Sequence, residues 1–329
     1  MAWNPGQKLQ NGKYTIEKVL GQGGFGITYL VKNKKGNLLV VKTLNSWVQR
    51  WCDFAKLQQD FLNEALRLSK FNHPHIVKID EVVQEAGLWC IVMEYIDGES
   101  LASHVWNQGI LPETEALRYI QQIGDALTVV HERGLLHRDV KPLNIMLRKV
   151  KTEAVLIDFG IAREFTPNLT QTQTEFCSSG FAPIEQYDWR GKRGAYTDVY
   201  SLAATLYTLL TAQVPLPSPM RAYGMRLEPP KQINSLLSDR INRAILKGMA
   251  LKPEERSQSV QEWLGLLGIG APRIANSSPL REWQERLRKA QEDKLKDNSD
   301  WRERFRKAQE DNLKDNDDWR EKWRKACEK

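Results

Sequence analysis

Short runs of β-branched and aromatic residues dominate the first hundred positions. Tyr14 to Leu20 and Ile27 to Lys32 read as two strands around a glycine-rich stretch, and Leu38-Leu39-Val40-Val41 reads as a buried strand ending in Lys42. The period then changes. Between Asp60 and Phe71 the apolar residues Phe61, Leu62, Ala65, Leu66 and Leu68 fall on one stripe of a helix, and Leu88 to Ile96 returns to a strand pattern. Past Leu267 the pattern breaks into Gly, Pro, Ser and Asn, as a linker does, over residues 269–280.

Beyond the linker the sequence repeats with a period of 18 residues: Trp283-Gln284-Glu285-Arg286-Leu287 returns as Trp301-Arg302-Glu303-Arg304-Phe305, and partly again from Trp319 through Trp323. Since 18 residues make five turns at about 3.6 per turn, one continuous helix would stack these tryptophans on a single face. Asp297-Asn298-Ser299-Asp300 and Asp315-Asn316-Asp317-Asp318 are rich in cap residues, so three short helices fit equally well. Alternating charge is consistent with a solvated extension. Four of the chain's eleven tryptophans lie here, however, and that density argues for contact with a protein surface or a second copy.

The formal charge of +7 over 329 residues is spread thinly: residues 1–280 hold 32 Lys and Arg against 27 Asp and Glu, and residues 281–329 hold 16 against 14. Without a dense basic patch this describes a solvated surface and gives no support to a nucleic-acid partner. Cys52, Cys90, Cys177 and Cys327 lack Cys-x-x-Cys spacing, which argues against a zinc site or disulfide framework and for a reducing cytosol. No apolar run reaches the roughly 20 residues that span a bilayer, and Met1-Ala2-Trp3-Asn4-Pro5 lacks a signal-peptide layout, so a soluble cytoplasmic protein is expected.

Candidate chemistry concentrates in His137-Arg138-Asp139-Val140-Lys141-Pro142-Leu143-Asn144 and in Asp158-Phe159-Gly160. Asp139 can accept a proton from an attacking hydroxyl, Lys141 can sit over a phosphate, and Asn144 and Asp158 can hold Mg²⁺. Upstream, Leu20-Gly21-Gln22-Gly23-Gly24-Phe25-Gly26-Ile27-Thr28 has the Gly-x-Gly-x-x-Gly spacing that lets backbone N–H groups approach phosphates. A dinucleotide-binding turn would carry similar glycines between a strand and a helix. Here strands flank both sides, which favours a β-hairpin lid.

These motifs together resemble the eukaryotic-type serine/threonine protein kinases, and the phrases Gly23 to Leu30 and Phe181 to Tyr187 resemble bacterial members, particularly cyanobacterial ones. The resemblance implies an α+β, bilobal fold with a small β-rich N-lobe and a larger helical C-lobe, to which the 18-residue period adds an α-helical repeat extension. It divides the chain into an N-terminal extension (1–12), a kinase domain (13–268), the linker and a tail (281–329). It implies transfer of the γ-phosphate of ATP to protein Ser or Thr hydroxyls, including the kinase's own. The alternative is a pseudokinase or nucleotide-binding scaffold acting through the tail.

By the same resemblance Lys42 contacts the α- and β-phosphates and pairs with Glu64 in the active state. Met93 becomes the gatekeeper, the Glu94 and Ile96 backbones face the adenine edge, and Met146 closes the pocket from below. Thr28 and Val40 stand at adenine-facing positions where the family usually has Val and Ala. Residues 161–185 form the activation loop, with Thr170, Thr172 and Thr174 as candidate phosphosites for Arg138, and Ser178 bonds near Asp139 and Lys141. Glu185 survives in an altered Pro-Ile-Glu motif with Arg256 available to pair with it, Asp198 braces the catalytic loop, and Ala203 replaces a usual glycine.

Overall fold

The computed structural model describes residues 3–23, 26–50, 53–149, 153–159, 178–188 and 190–269. The chain divides into two compact units, residues 1–271 and 272–329, and every described residue belongs to the first. The 18-residue repeats, the candidate threonines of the activation loop, Gly24 and Phe25 lie outside the described residues.

Six antiparallel strands form the N-terminal sheet: β1 (Lys8–Leu9), β2 (Tyr14–Gln22), β3 (Gly26–Asn33), β4 (Leu38–Leu44), β5 (Ile79–Glu85) and β6 (Leu88–Glu94), in the order β1-β2-β3-β4-β6-β5. Register sorts the side chains between its faces. Thr28 opposes Lys42, Lys42 opposes Ile91, and Val40 opposes Met93, so these five share one face. The other face buries Ile27, Tyr29, Val31, Val41, Cys90 and Val92, together with Trp3 and Leu9 from the N-terminal segment. Residues 3–12, expected as an extension, thus run along the sheet: the Trp3 amide donates to the Tyr29 hydroxyl at 3.0 Å, and Lys8 and Leu9 pair with Thr15 and Tyr14.

Helix α1 (Phe54–Leu68) lies on the face that carries Lys42, burying Leu57, Phe61, Ala65 and Leu68 against Val40, Ile91 and Met93. A second sheet of β7 (Gly98–Ser100), β8 (Ile145–Arg148) and β9 (Ala154–Leu156) marks the start of the C-terminal lobe. Its helices are α2 (Leu101–Gln108), α3 (Glu113–Glu132), α4 (Ala195–Thr211), α5 (Ser218–Ala222), α6 (Pro230–Ile233), α7 (Asp239–Gly248) and α8 (Val260–Leu266). Helix α4 is buried from Thr197 to Thr211, the mark of a helix at the centre of a core.

Ala203 of α4 faces Gly248: a Cβ on Gly248 would fall 2.7 Å from the Ala203 methyl and 2.5 Å from Trp263 Nε1. The methyl gained at Ala203 therefore packs against a residue that has none. The lobe closes after α8 with Gly268 in the left-handed region (φ 73°), where Gly268 N–H reaches Gly265 O and Ile269 N–H reaches Leu264 O, both at 3.0 Å. Ile269, placed by sequence in the linker, packs against the core. No helix among the described residues is long and apolar enough to cross a membrane.

Candidate active site

The loop between α3 and β8 is fixed from beneath by Asp198, which has no solvent exposure. Its Oδ2 accepts from His137 N–H at 2.8 Å and lies 2.7 Å from His131 Nε2, and its Oδ1 accepts from Arg138 N–H at 2.8 Å. These bonds hold Arg138 in the left-handed region, at φ 64°, a conformation that costs roughly 1–2 kcal/mol for a residue with a Cβ. Gln186 adds a bond from Nε2 to Arg138 O at 2.8 Å. His137 packs its ring 4.5 Å from that of Phe159.

On this base Asp139 presents a carboxylate surrounded by donors. Asn144 Nδ2 reaches its Oδ2 at 2.9 Å and its backbone oxygen at 2.8 Å, Lys141 Nζ stands 3.0 Å from Oδ2, and Ser178 Oγ donates to Oδ1 at 2.7 Å. Lys141 Nζ also reaches Ser178 Oγ at 2.7 Å. Ser178, expected from the resemblance to bond near Asp139 and Lys141, joins Asp139, Lys141 and Asn144 in one hydrogen-bonded network.

Asp158 follows β9 with φ 55° and meets Lys42 Nζ at 2.5 Å. The Ile157 amide donates to Asn144 O at 2.8 Å, which brings the two loops side by side. Lys42 is ion-paired with Asp158, and Glu64 is buried on α1 with its carboxylate 3.9 Å from Arg67. Asn144 uses its amide N–H groups on Asp139, which leaves its carbonyl oxygen as the group to offer a cation, with the Asp158 carboxylate as a second oxygen ligand. One carboxylate and one amide oxygen suit a hard cation that keeps water and substrate phosphates as its remaining ligands.

The residues expected around an adenine also gather. Val40, Met93 and Ile96 belong to one buried cluster, and Met146 packs against it. Leu20, Gly21, Gln22 and Gly23 are exposed at the end of β2, and Gly26, Ile27 and Thr28 open β3. Ile27 turns its side chain to the opposite face of the sheet, so it can serve a phosphate only through its backbone. The Glu94 side chain accepts from the Lys78 amide at 2.9 Å and from Arg148 at 2.8 Å, and the Glu94 amide donates to Lys78 O at 3.0 Å.

Three contributors escaped sequence reasoning. Asn45, after β4, donates to Gly23 O at 2.9 Å while accepting from the Trp47 and Val48 amides, which ties the glycine-rich turn to the segment after β4. His131, in the last turn of α3, lies 2.7 Å from Asp198. Arg148 joins the strand Ile145–Arg148 to Glu94. In each case the partner lies at least 22 residues away, and no local pattern encodes it.

Residues 14–262 match the protein kinase domain family. Serine/threonine-protein kinase PknB of Mycobacterium leprae is 34% identical over 262 residues, covering 76% of this chain and 42% of that protein. PknD of Mycobacterium tuberculosis is 33% identical over 259 residues, covering 76% and 38%. The chain thus spans about two fifths of the length of these relatives. Among solved structures, the apo form of PpkA-294 superposes with a TM-score of 0.70 at 26% identity over 81% of this chain and 99% of the other. The kinase domain of Mycobacterium tuberculosis PknI does so with 0.64 at 25% identity over 82% and 100%. A carboxylate held by Asn144, Lys141 and Ser178, a lysine on Asp158, and this match over most of its length place the chain in the protein kinase family.

Proposed function

We propose that the chain is an ATP-dependent serine/threonine protein kinase that uses Mg²⁺, phosphorylates protein hydroxyls including its own, and works in the cytoplasm. The arrangement around Asp139 carries this reading, because three donors orient a carboxylate that faces the place an acceptor would enter. In the proposed step the acceptor O–H gives its proton to Asp139 as its oxygen bonds to the γ-phosphorus. The bond from that phosphorus to the bridging oxygen breaks, and ADP leaves. Lys141 faces the transferred group, and Lys42 serves the nucleotide phosphates. Asn144 and Asp158 would hold the divalent metal, which when bound would supply positive charge against the phosphates.

Retention of Lys42, Asp139, Asn144 and Asp158 together favours an enzyme over a nucleotide-binding scaffold. The tryptophan-rich repeats act in this proposal as a contact element for a protein partner or a second copy. The test is Asp139→Asn. Phosphate transfer from ATP to the chain itself or to a Ser/Thr peptide should fall by about a hundredfold or more, while nucleotide affinity stays within about threefold because Lys42, Asn144 and Asp158 are retained. Transfer at the wild-type rate in the variant would refute the assignment of Asp139.

A further inference from the structure

The glycine-rich turn is weakly held by its own hairpin. The pairing of β2 with β3 shifts register between Ile16 and Lys18 and again between Val19 and Gly21, and Leu20 to Gly23 are exposed. Bulges interrupt the ladder and glycine adds conformational freedom, so such a turn samples many positions unless something outside it selects one. Its position matters because β3 starts close against the lysine that meets Asp158: a Cβ on Gly26 would fall 3.5 Å from Lys42 Cε and 3.1 Å from Thr43 O.

Asn45 supplies the outside hold. Only 4% exposed, it donates from Nδ2 to Gly23 O at 2.9 Å, while the Gly23 amide closes onto Gly26 O at 2.8 Å. Among the described residues no other side chain bonds to residues 20–23. The acceptor end of Asn45 is anchored as well. Its Oδ1 accepts from Trp47 N–H at 3.1 Å and from Val48 N–H at 3.0 Å, the local turn that asparagine forms with amides two and three residues on. Val48 has no solvent exposure and packs in the cluster that holds Leu57 and Phe61 of α1. The amide group is thus fixed on one side by a core and passes that rigidity to the turn on the other.

We infer that Asn45 is a positioning residue for the nucleotide phosphates: it touches no reacting atom and acts by holding the Gly23 carbonyl, and with it the glycine-rich turn, in the place where backbone N–H groups meet phosphate. This role rests on the kinase reading and adds to its phosphate site a side chain that lies outside the motifs. Without the tether the turn is competent for only part of the time, and a ligand that uses it binds more weakly by that fraction. The loss therefore falls on phosphate affinity and spares the adenine, which meets Val40, Met93 and Met146 instead.

Calorimetric titration of the full chain with a non-hydrolysable ATP analogue and with adenosine, both with Mg²⁺, separates these two contributions. Asn45→Ser keeps an oxygen able to accept from the Trp47 and Val48 amides but has no donor that spans to Gly23 O, whereas Asn45→Ala loses both functions. Both variants should bind the analogue about tenfold more weakly and adenosine within about twofold of the wild type. KM for ATP should rise by the same factor with KM for a Ser/Thr peptide unchanged. An Asn45→Ser protein that binds the analogue as the wild type does would show that Asn45 serves only its own turn, and would overturn the role. Equal weakening towards adenosine and the analogue would overturn it too, because the whole pocket would then be disturbed. If Asn45→Ala does not fold, Asn45→Ser alone decides. A wild type that binds neither compound removes the kinase reading itself, an outcome distinct from failure of the variants.

Discussion

Burial alone would push the Asp198 carboxyl above the ordinary Asp range, yet it is held below that range. The hydrogen bond and charge of His131, with the His137 amide, outweigh desolvation. His137 shows the opposite balance: complete burial lowers its pKa despite the neighbouring carboxylates, so a neutral ring packs on Phe159. His73 gives the same sign in a half-buried setting, where desolvation first and His75 second lower its pKa from 6.5 to about 4. The folded state then binds a proton at His73 less readily than the unfolded chain does. Its contribution to stability is complete above pH 6.5 and is lost as pH falls from there towards about 4. In thermal melts at about pH 7.5 and about pH 4.5, His73→Gln should lose less stability between the two conditions than the wild type. Equal losses would show that His73 does not contribute to the acid response.

Among the elements, the end of the activation segment is fastened to the segment before α8 by a buried pair. Arg256 NH1 and NH2 meet Glu185 Oε1 and Oε2 at 2.7 and 3.0 Å, Thr197 Oγ1 donates to the same carboxylate at 3.0 Å, and Arg256 also caps the Ala250 and Leu251 carbonyls. Removing one partner leaves an uncompensated buried charge, so Arg256→Ala should cost about 3–5 kcal/mol. A urea midpoint shift with an unchanged slope measures it, and a loss under about 1 kcal/mol would contradict the estimate. The pairing of Glu185 with Arg256 was legible only through the family resemblance, which supplied a partner for the glutamate of the altered Pro-Ile-Glu motif. The strands were legible because their apolar runs are short and β-branched. Helix boundaries were less so: Asp60 to Phe71 was expected, whereas α1 begins at Phe54, since Phe54 and Leu57 extend the Phe61 stripe backwards. It ends at Leu68, where the Phe71 amide turns back to Leu68 O. Trp3 was passed over because its partners, Tyr29 and the outer face of the sheet, exist only once β1 to β4 and β6 have paired.

At the scale of the whole molecule, Lys42, Asp139, Lys141, Asn144, Asp158 and Ser178 all precede residue 179, Gln186 and Asp198 brace their loop from further on, and the last cap of the described unit closes at Gly268 and Ile269. The first compact unit ends at Ala271. Among the described residues its cores, including the outer cluster sealed by Trp3 and the helical cluster around α4, are built from residues between Trp3 and Ile269. Chemistry and folding are expected to survive removal of residues 272–329, whereas the partner contacts proposed for Trp283, Trp301 and Trp319 would be lost. The truncated chain should phosphorylate a Ser/Thr peptide within about threefold of the full chain at the same enzyme concentration and melt cooperatively. If kcat falls far more than that while KM for the peptide is unchanged, the repeats contribute to the transition state and not to recognition alone. A change confined to KM for whole-protein substrates, with peptide kinetics preserved, is the outcome that fits a tail devoted to binding.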